Sequence, residues 1–534
     1  GNVYGGGNLA DYTGSPAVNI KNGTVSGNVF GGGKGGTALV TGNPVVTVGD
    51  LADGHSAYAA VVLGDVYGGG DAAAVSGNTS VTLQKANSSV GRLFGGGNAA
   101  GISGNTAVNM SLGTVTTALY GGCNTTGTVG GTSAVTVTGG TIGTAFAQAP
   151  ASIPGVLFGG GKGAGTSVTG MVTLNIGTKV GAVYSGSANI YGNVYGGSEN
   201  GEVHAVDVNL YGNTISGNVF GGGYQTAQNL TAATTVDIML DGTAFDMTYP
   251  GMAQIFGAND LVGTPTGHVK VHVKRTVAAA GQSANTYYLT AVYGGGNQAD
   301  YTPTSDDHLQ STEVLIEGCD TTKIQDVYGG GNAAAVPASD VWIFGSDIIE
   351  NVFGGGNGVL GADHAAHVGF HRQSASEKYP YEDGSGKTFV NLMGGTITNV
   401  YGGSNSNGDI RGGTNIKMPL SYPGSAVIDD TNCTLNASNI YGGGKNAPMS
   451  SGANIELGCM PDEWIDEIYA GAQAADVGGD VSLTIRSGKF GRVFGGNKDS
   501  GKLQGSITVN IEETGDCDVP IIIGELYGGG YQAR

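Results

Sequence analysis

Positive charge is scarce in this chain: 22 lysines and arginines are spread over 534 residues, against 42 aspartates and glutamates, for a formal net charge of −20. Phosphate-backbone recognition needs clustered Lys and Arg, so this balance argues against a nucleic-acid partner. Cysteine is also scarce, and five is an odd number, too few for a disulfide scaffold. No apolar run approaches the roughly 20 residues of a membrane-spanning helix. No stretch carries the 3.6-residue apolar period of a helical repeat, and 103 glycines oppose that composition as well. The glycine triplets are not phosphate loops, because Gly33-Lys34-Gly35 and Gly161-Lys162-Gly163 lack the hydroxyl residue that should follow the lysine.

What is present is a repeat. An aliphatic residue, an aromatic and a run of glycines recur from Val3-Tyr4-Gly5-Gly6-Gly7 to Leu526-Tyr527-Gly528. The aromatic column reads Tyr4, Phe30, Tyr67, Phe94, Tyr120, Phe158, Tyr195, Phe220, Tyr293, Tyr328, Phe353, Tyr401, Tyr441, Phe494 and Tyr527, with looser copies at Tyr184, Phe256 and Tyr469. The shortest spacings, such as Gly5 to Gly31 and Gly329 to Gly354, are 25 to 27 residues. A unit of that length that repeats along the whole chain buries its apolar face only against its neighbours.

Each period also holds a short alternating segment, as in Val46-Thr47-Val48, Val81-Thr82-Leu83, Val108-Asn109-Met110 and Ile507-Thr508-Val509. Alternation places one set of side chains inside and the other outside a strand. A propeller blade needs about 40 residues and four strands, which is more than the shortest units contain. The expected fold is therefore all-β: a parallel β-solenoid, three-sided and right-handed by default, with 25 to 27 residues per coil. Residues 1–534 are expected to form one continuous repeat domain cut from a longer chain, with 358–389 as its longest inserted loop. Glycine and asparagine at the corners, including Asn8, Asn98, Asn297, Asn332 and Asn357, are expected to supply positive φ angles, and stacked asparagines to form ladders.

These Gly-rich corners, Val-Thr-Val strands and aromatic repeats resemble the parallel β-helix and β-solenoid repeats of bacterial surface proteins, including adhesins and autotransporter passenger domains. The resemblance is architectural and covers the whole chain. It implies a structural or adhesive extracellular role at a bacterial cell surface, with host or bacterial glycans or other surface proteins as partners. It implies no cofactor. The alternatives are a carbohydrate-active enzyme, lyase or hydrolase, on the same scaffold, or a filament subunit that self-associates end to end or side by side. The non-enzymatic reading is favoured, with binding placed on loops inserted at 50–62, 144–155, 242–253, 276–290 and 358–389.

Four candidate sites follow. The aromatic column is either an exposed stripe for sugars or a buried ladder whose rings fold over the glycines, and the buried form is favoured. His364, His367 and His371 have the i, i+3, i+7 spacing of a Zn²⁺ site if their segment is helical, although solvated loop histidines explain them as well. Asp207, Asp237 and Lys270 are expected on three successive rungs, as an acid and nucleophile pair with a cation or as an outward salt-bridge ladder. Cys319, Cys433, Cys459 and Cys517 fall at the same corner of different rungs; Cys433 and Cys459 lie one period apart, so a bridge between them is geometrically conceivable, although small corner residues with unpaired thiols are the favoured reading.

Overall fold

The computed structural model describes residues 1–50, 58–181, 183–224, 235–303, 311–359, 365–374, 377–380, 386–430, 433–458, 464–513, 517 and 519–532. Among them there is no helix, and the chain is an all-β parallel solenoid. Two compact units are present, Gly1–Ala253 with Asp260–Thr266 and Ala278–Ser283, and Gln254–Asn259 with Gly267–Val277 and Ala284–Arg534.

In the first unit, Thr106–Met110 pairs in parallel with Thr79–Leu83 on one side and Ser133–Val137 on the other. The pairing aligns Val81, Val108 and Val135, each at most 1% exposed, in one inward column. Removing such a side chain from water contributes about 1.5–3 kcal/mol. A second column stacks Thr114–Tyr120 on Ser89–Phe94. A third contributes one residue per coil, Val40, Val75, Ile102 and Val129, bridged in parallel and buried. The second unit repeats this scheme, with Val271, Val314, Val341, Val390, Ile416, Ile455, Leu483 and Val509 in register. Buried hydroxyls beside the glycines are satisfied across rungs, as where Thr106 Oγ1 donates to the Gly121 carbonyl at 2.7 Å and Thr312 Oγ1 to that of Gly329 at 2.6 Å.

From Phe30 to Phe494 the aromatic column is a buried ladder, with Tyr4 half-buried and Tyr527 46% exposed. In the first unit, Tyr4, Phe30, Tyr67, Phe94, Tyr120, Phe158, Tyr195 and Phe220 stack with centroids 4.8–5.0 Å apart and planes within 9°. In the second, Phe256, Tyr293, Tyr328, Phe353, Tyr401, Tyr441, Tyr469, Phe494 and Tyr527 stack at 4.7–5.3 Å. Two of the looser copies, Phe256 and Tyr469, are therefore full members. Tyr184 is not: it lies in an antiparallel hairpin of Thr178–Val180 with Val183–Ser185.

The triplet glycines work differently from the corner role expected of them. None of Gly31, Gly32, Gly68, Gly69 or Gly70 has a positive φ, and Asn8, Asn98, Asn297, Asn332 and Asn357 do not either. What these glycines provide is space: a Cβ on Gly32 would sit 2.7 Å from Gly70 N and 2.9 Å from its Cα on the next rung. Backbone passes directly over backbone there, and only hydrogen fits. The asparagines form the ladder that stacking predicts: Asn332 Nδ2 donates to Asn297 Oδ1, Asn357 to Asn332 and Asn405 to Asn357, each at 2.8 Å.

Candidate functional site

Inward side chains of the second unit are aliphatic, stacked aromatic, or small hydroxyls bonded to glycine carbonyls, so chemistry falls to the outward positions. Register places Lys270, Glu313, Asp340, Phe389 and Asn415 in one outward column, and His272, Leu315, Trp342, Asn391 and Lys417 in the next. Outward residues are normally solvated. Here His272 is 1% exposed, Leu315 0% and Trp342 5%.

The cover is the segment 418–430, between strands Thr414–Lys417 and Leu435–Tyr441, which contains no strand of its own. Tyr422 packs edge-on against Trp342 and Phe344, with centroids 5.1 and 5.5 Å away, and Met393, Ala426 and Ile428 complete the apolar patch. The Tyr422 hydroxyl donates to Glu313 Oε1 at 2.6 Å. Further along, the backbone N–H groups of Asp429 and Asp430 donate to Glu317 Oε2 at 2.5 and 3.0 Å. Asp430 Oδ2 in turn accepts the N–H groups of Gly318 and Cys319. Lys274 Nζ donates to the Val427 carbonyl at 3.0 Å and pairs with Asp429 at 2.8 Å.

Beneath this strap lies a buried hydrogen-bonded pair. His272 Nε2 and Glu317 Oε1 are 2.5 Å apart, with both side chains 1% exposed. Desolvation pushes the Glu317 carboxyl up, but the His272 bond and the amides of Asp430 and Asp429 outweigh it and hold the group below the usual range. Asp340 shows the opposite balance. Burial raises it to about 6, and the neighbouring Glu313 charge adds to the rise, despite the hydrogen bond that Asn391 Nδ2 donates to Asp340 Oδ1 at 2.7 Å.

The strap ends in a disulfide between Cys319 and Cys433, with Cα atoms 5.8 Å apart. Cys433 is therefore neither an unpaired thiol nor the partner of Cys459. Cys319 precedes strand Lys323–Tyr328 and Cys433 precedes Leu435–Tyr441, three rungs further along. Flat stacking would separate them by about 14 Å. Cys433 belongs to an insertion that runs back across those rungs, which is why same-corner reasoning pointed to the wrong partner. Cys459 lies outside the described residues. Cys517 is also disulfide-bonded, and the buried Cys123 is a free thiol that desolvation pushes up to about 11. Sγ of Cys319 and Cys433 and a carboxylate oxygen of Asp430 lie within 4.8 Å of one another, but sulfurs joined to each other are not thiolate ligands.

Asp207 and Asp237 are register partners, as expected for neighbouring rungs. Their column continues through Thr173 to Ala134, whereas Thr136 pairs with Asn175, so the outward row of the sequence shifts by two residues at this rung. Lys270 belongs to the other unit and pairs in register with Glu313. His367 Nδ1 accepts the Asp409 N–H at 3.0 Å, His371 lies in a hairpin opposite Tyr379, and His364 lies outside the described residues. The segment around His371 is extended, so the helical spacing on which a zinc face depended is missing there. Sequence reasoning missed the strap altogether. Its available signals were the 17 residues from 418 to 434 that match no repeat, and the pair Pro419 and Pro423.

Fold and site together define a parallel β-solenoid with a side strap bridged onto its outer face. Neither a protein-family model, nor a curated protein, nor a solved structure matches this sequence.

Proposed function

We propose that the chain is a structural or adhesive β-solenoid of the cell surface or extracellular space, of the bacterial kind that its composition suggests. The observation that carries this reading is the Cys319–Cys433 bridge, supported by the bonded state of Cys517. Structural disulfides persist in oxidising compartments and are rare where thiols are kept reduced. The ladder supports the mechanical part: stacked rings, asparagine ladders and glycine-lined backbone contacts repeat from rung to rung, so each unit resists bending. Glycans or other surface proteins are the partners proposed, held by loops on a rigid support.

The test is retention against turnover. The purified chain is passed over immobilised acidic and neutral polysaccharides and host-cell surface extracts, and the eluates are assayed for new reducing or unsaturated ends. Retention without new ends supports adhesion, and new ends overturn it. A second reading, a carbohydrate-active enzyme, is favoured by one observation: Asp340, raised to about 6, is the register partner of Glu313 beside the Trp342 ring. A carboxyl whose titration is pushed up toward neutrality, beside a second carboxyl on the neighbouring rung, is the pairing that glycoside hydrolysis uses. With the strap seated, Tyr422 occupies Glu313 and Asn391 occupies Asp340, so the cluster's contribution in this state is cohesion.

A further inference from the structure

We propose that Cys319–Cys433 is a redox latch: a dithiol that reduces it releases the strap 418–430 from the outer face and uncovers Trp342, while the rungs beneath stay folded. Three observations lead there. First, the strap has no backbone ladder of its own, since no strand runs through residues 418–430, and its outward side leaves Leu420 83% and Val427 73% exposed. Second, what seats it besides the bridge is no continuous ladder but separate contacts: hydrogen bonds to Glu313, Glu317 and Lys274, the Gly318 and Cys319 amides on Asp430, and the packing of Tyr422, Ala426 and Ile428. The Lys274–Asp429 pair is partly solvated, with the Asp429 side chain 65% exposed, and such pairs hold weakly. Third, both cysteines are partly exposed, so a thiolate can reach the bridge.

A dithiol thiolate attacks one sulfur and forms a mixed disulfide, and the other cysteine leaves as a thiolate and takes a proton. The second thiol of the reagent then displaces the first cysteine, which also takes a proton. The reagent ends as a disulfide, and the protein has gained two electrons and two protons. The Asp430 carboxylate, within 4.8 Å of both sulfurs, opposes the approach and departure of negative sulfur, so it slows the latch.

The two tryptophans make the test direct. Trp464 is 50% exposed and Trp342 is 5% exposed, so in a Trp464→Phe chain all tryptophan emission comes from the covered ring. With dithiothreitol as the dithiol, emission is expected to shift red and acrylamide quenching to rise several-fold, while far-ultraviolet circular dichroism keeps its β signal. Reoxidation should restore the starting spectrum. Asp430→Asn, which keeps an acceptor oxygen for the Gly318 and Cys319 amides, should speed reduction about 3- to 10-fold. Alkylation and mass spectrometry show when both cysteines are open, and a Cys319→Ser, Cys433→Ser chain supplies the open state without reagent and without touching Cys517. An unshifted, unquenched Trp342 in either open form overturns the proposal. So does loss of the β signal in the Cys319→Ser, Cys433→Ser chain, which would make the bridge a staple of the whole unit.

Discussion

Glu317 Oε2 accepts the backbone N–H of Asp430 at 3.0 Å, joining a rung to a loop 113 residues further along the chain. The same carboxylate holds His272 on its other oxygen. One buried group therefore fixes both a rung-to-rung contact and the seat of the strap.

Replacing it separates charge from shape. Glu317→Gln keeps an acceptor for the Asp429 and Asp430 amides but leaves His272 without its carboxylate. Weakening a buried hydrogen bond to a charged group costs about 1–3 kcal/mol, and the low end is expected here because the amide oxygen persists. Urea unfolding of both chains reads the difference. The pH dependence has a definite sign: the Glu317 carboxyl is held below its ordinary 4.5, so its contribution is complete above that value and is lost as pH falls through the lowered folded-state value. In the Gln chain this acid loss should be absent.

Asp340 should show the reverse. Its carboxyl titrates near 6 in the fold against 3.8 unfolded, so the folded state holds the extra proton between those values and stability falls as pH rises from about 4 to 6. Asp340→Asn removes the cost of the buried charge and should stabilise the protein at pH 7 by on the order of 2–3 kcal/mol. Thermal melts of the two chains across pH 4 to 7 should converge at the acid end. A variant less stable at pH 7 would show that the carboxylate makes a contact that outweighs its desolvation.

Two kinds of glycine should respond differently to substitution. Gly32→Ala drives a methyl into the backbone of Gly70, and overpacking of this kind costs about 1–3 kcal/mol, toward the upper end where the neighbour is backbone. Gly23 has φ +87° and nothing within 4 Å of an added Cβ, so Gly23→Asn should cost no more than about 1 kcal/mol. Paired denaturant midpoints distinguish space from dihedral angle.

The ladder predicts size dependence with tolerance of a hydroxyl. Phe94 is fully buried between Tyr67 and Tyr120, so Phe94→Ala should lose about 3–5 kcal/mol. Phe94→Tyr places the phenol where both neighbours already carry one, and should cost under about 1.5 kcal/mol. Calorimetry on the three chains would expose an error, most plainly if the Tyr variant fell to the level of the Ala variant.

Most of the coil was legible because each of its features is local and repeated. The aliphatic-aromatic-glycine motif marks the ladder position once per period, and even the loose copies at Phe256 and Tyr469 stack. Register was less legible. Val172 to Ile176 alternates through five residues, so two registers that differ by two residues both keep the apolar side inside, and the backbone uses the one that pairs Ser133 with Val172. The glycine triplets were visible while their reason was not, because Gly32 answers to a neighbour at Gly70, 38 positions away, and not to its own dihedral angles.

Periodicity alone established the parallel coil, the buried aliphatic column and the ladder, since each depends on side chains that a fixed spacing brings together. The strap, the Cys319–Cys433 pairing and the cluster of His272, Glu313, Glu317, Asp340 and Trp342 were decided only in three dimensions. They arise where a segment outside the repeat folds back over rungs already built, and no spacing within 418–434 encodes which outward residues it will meet.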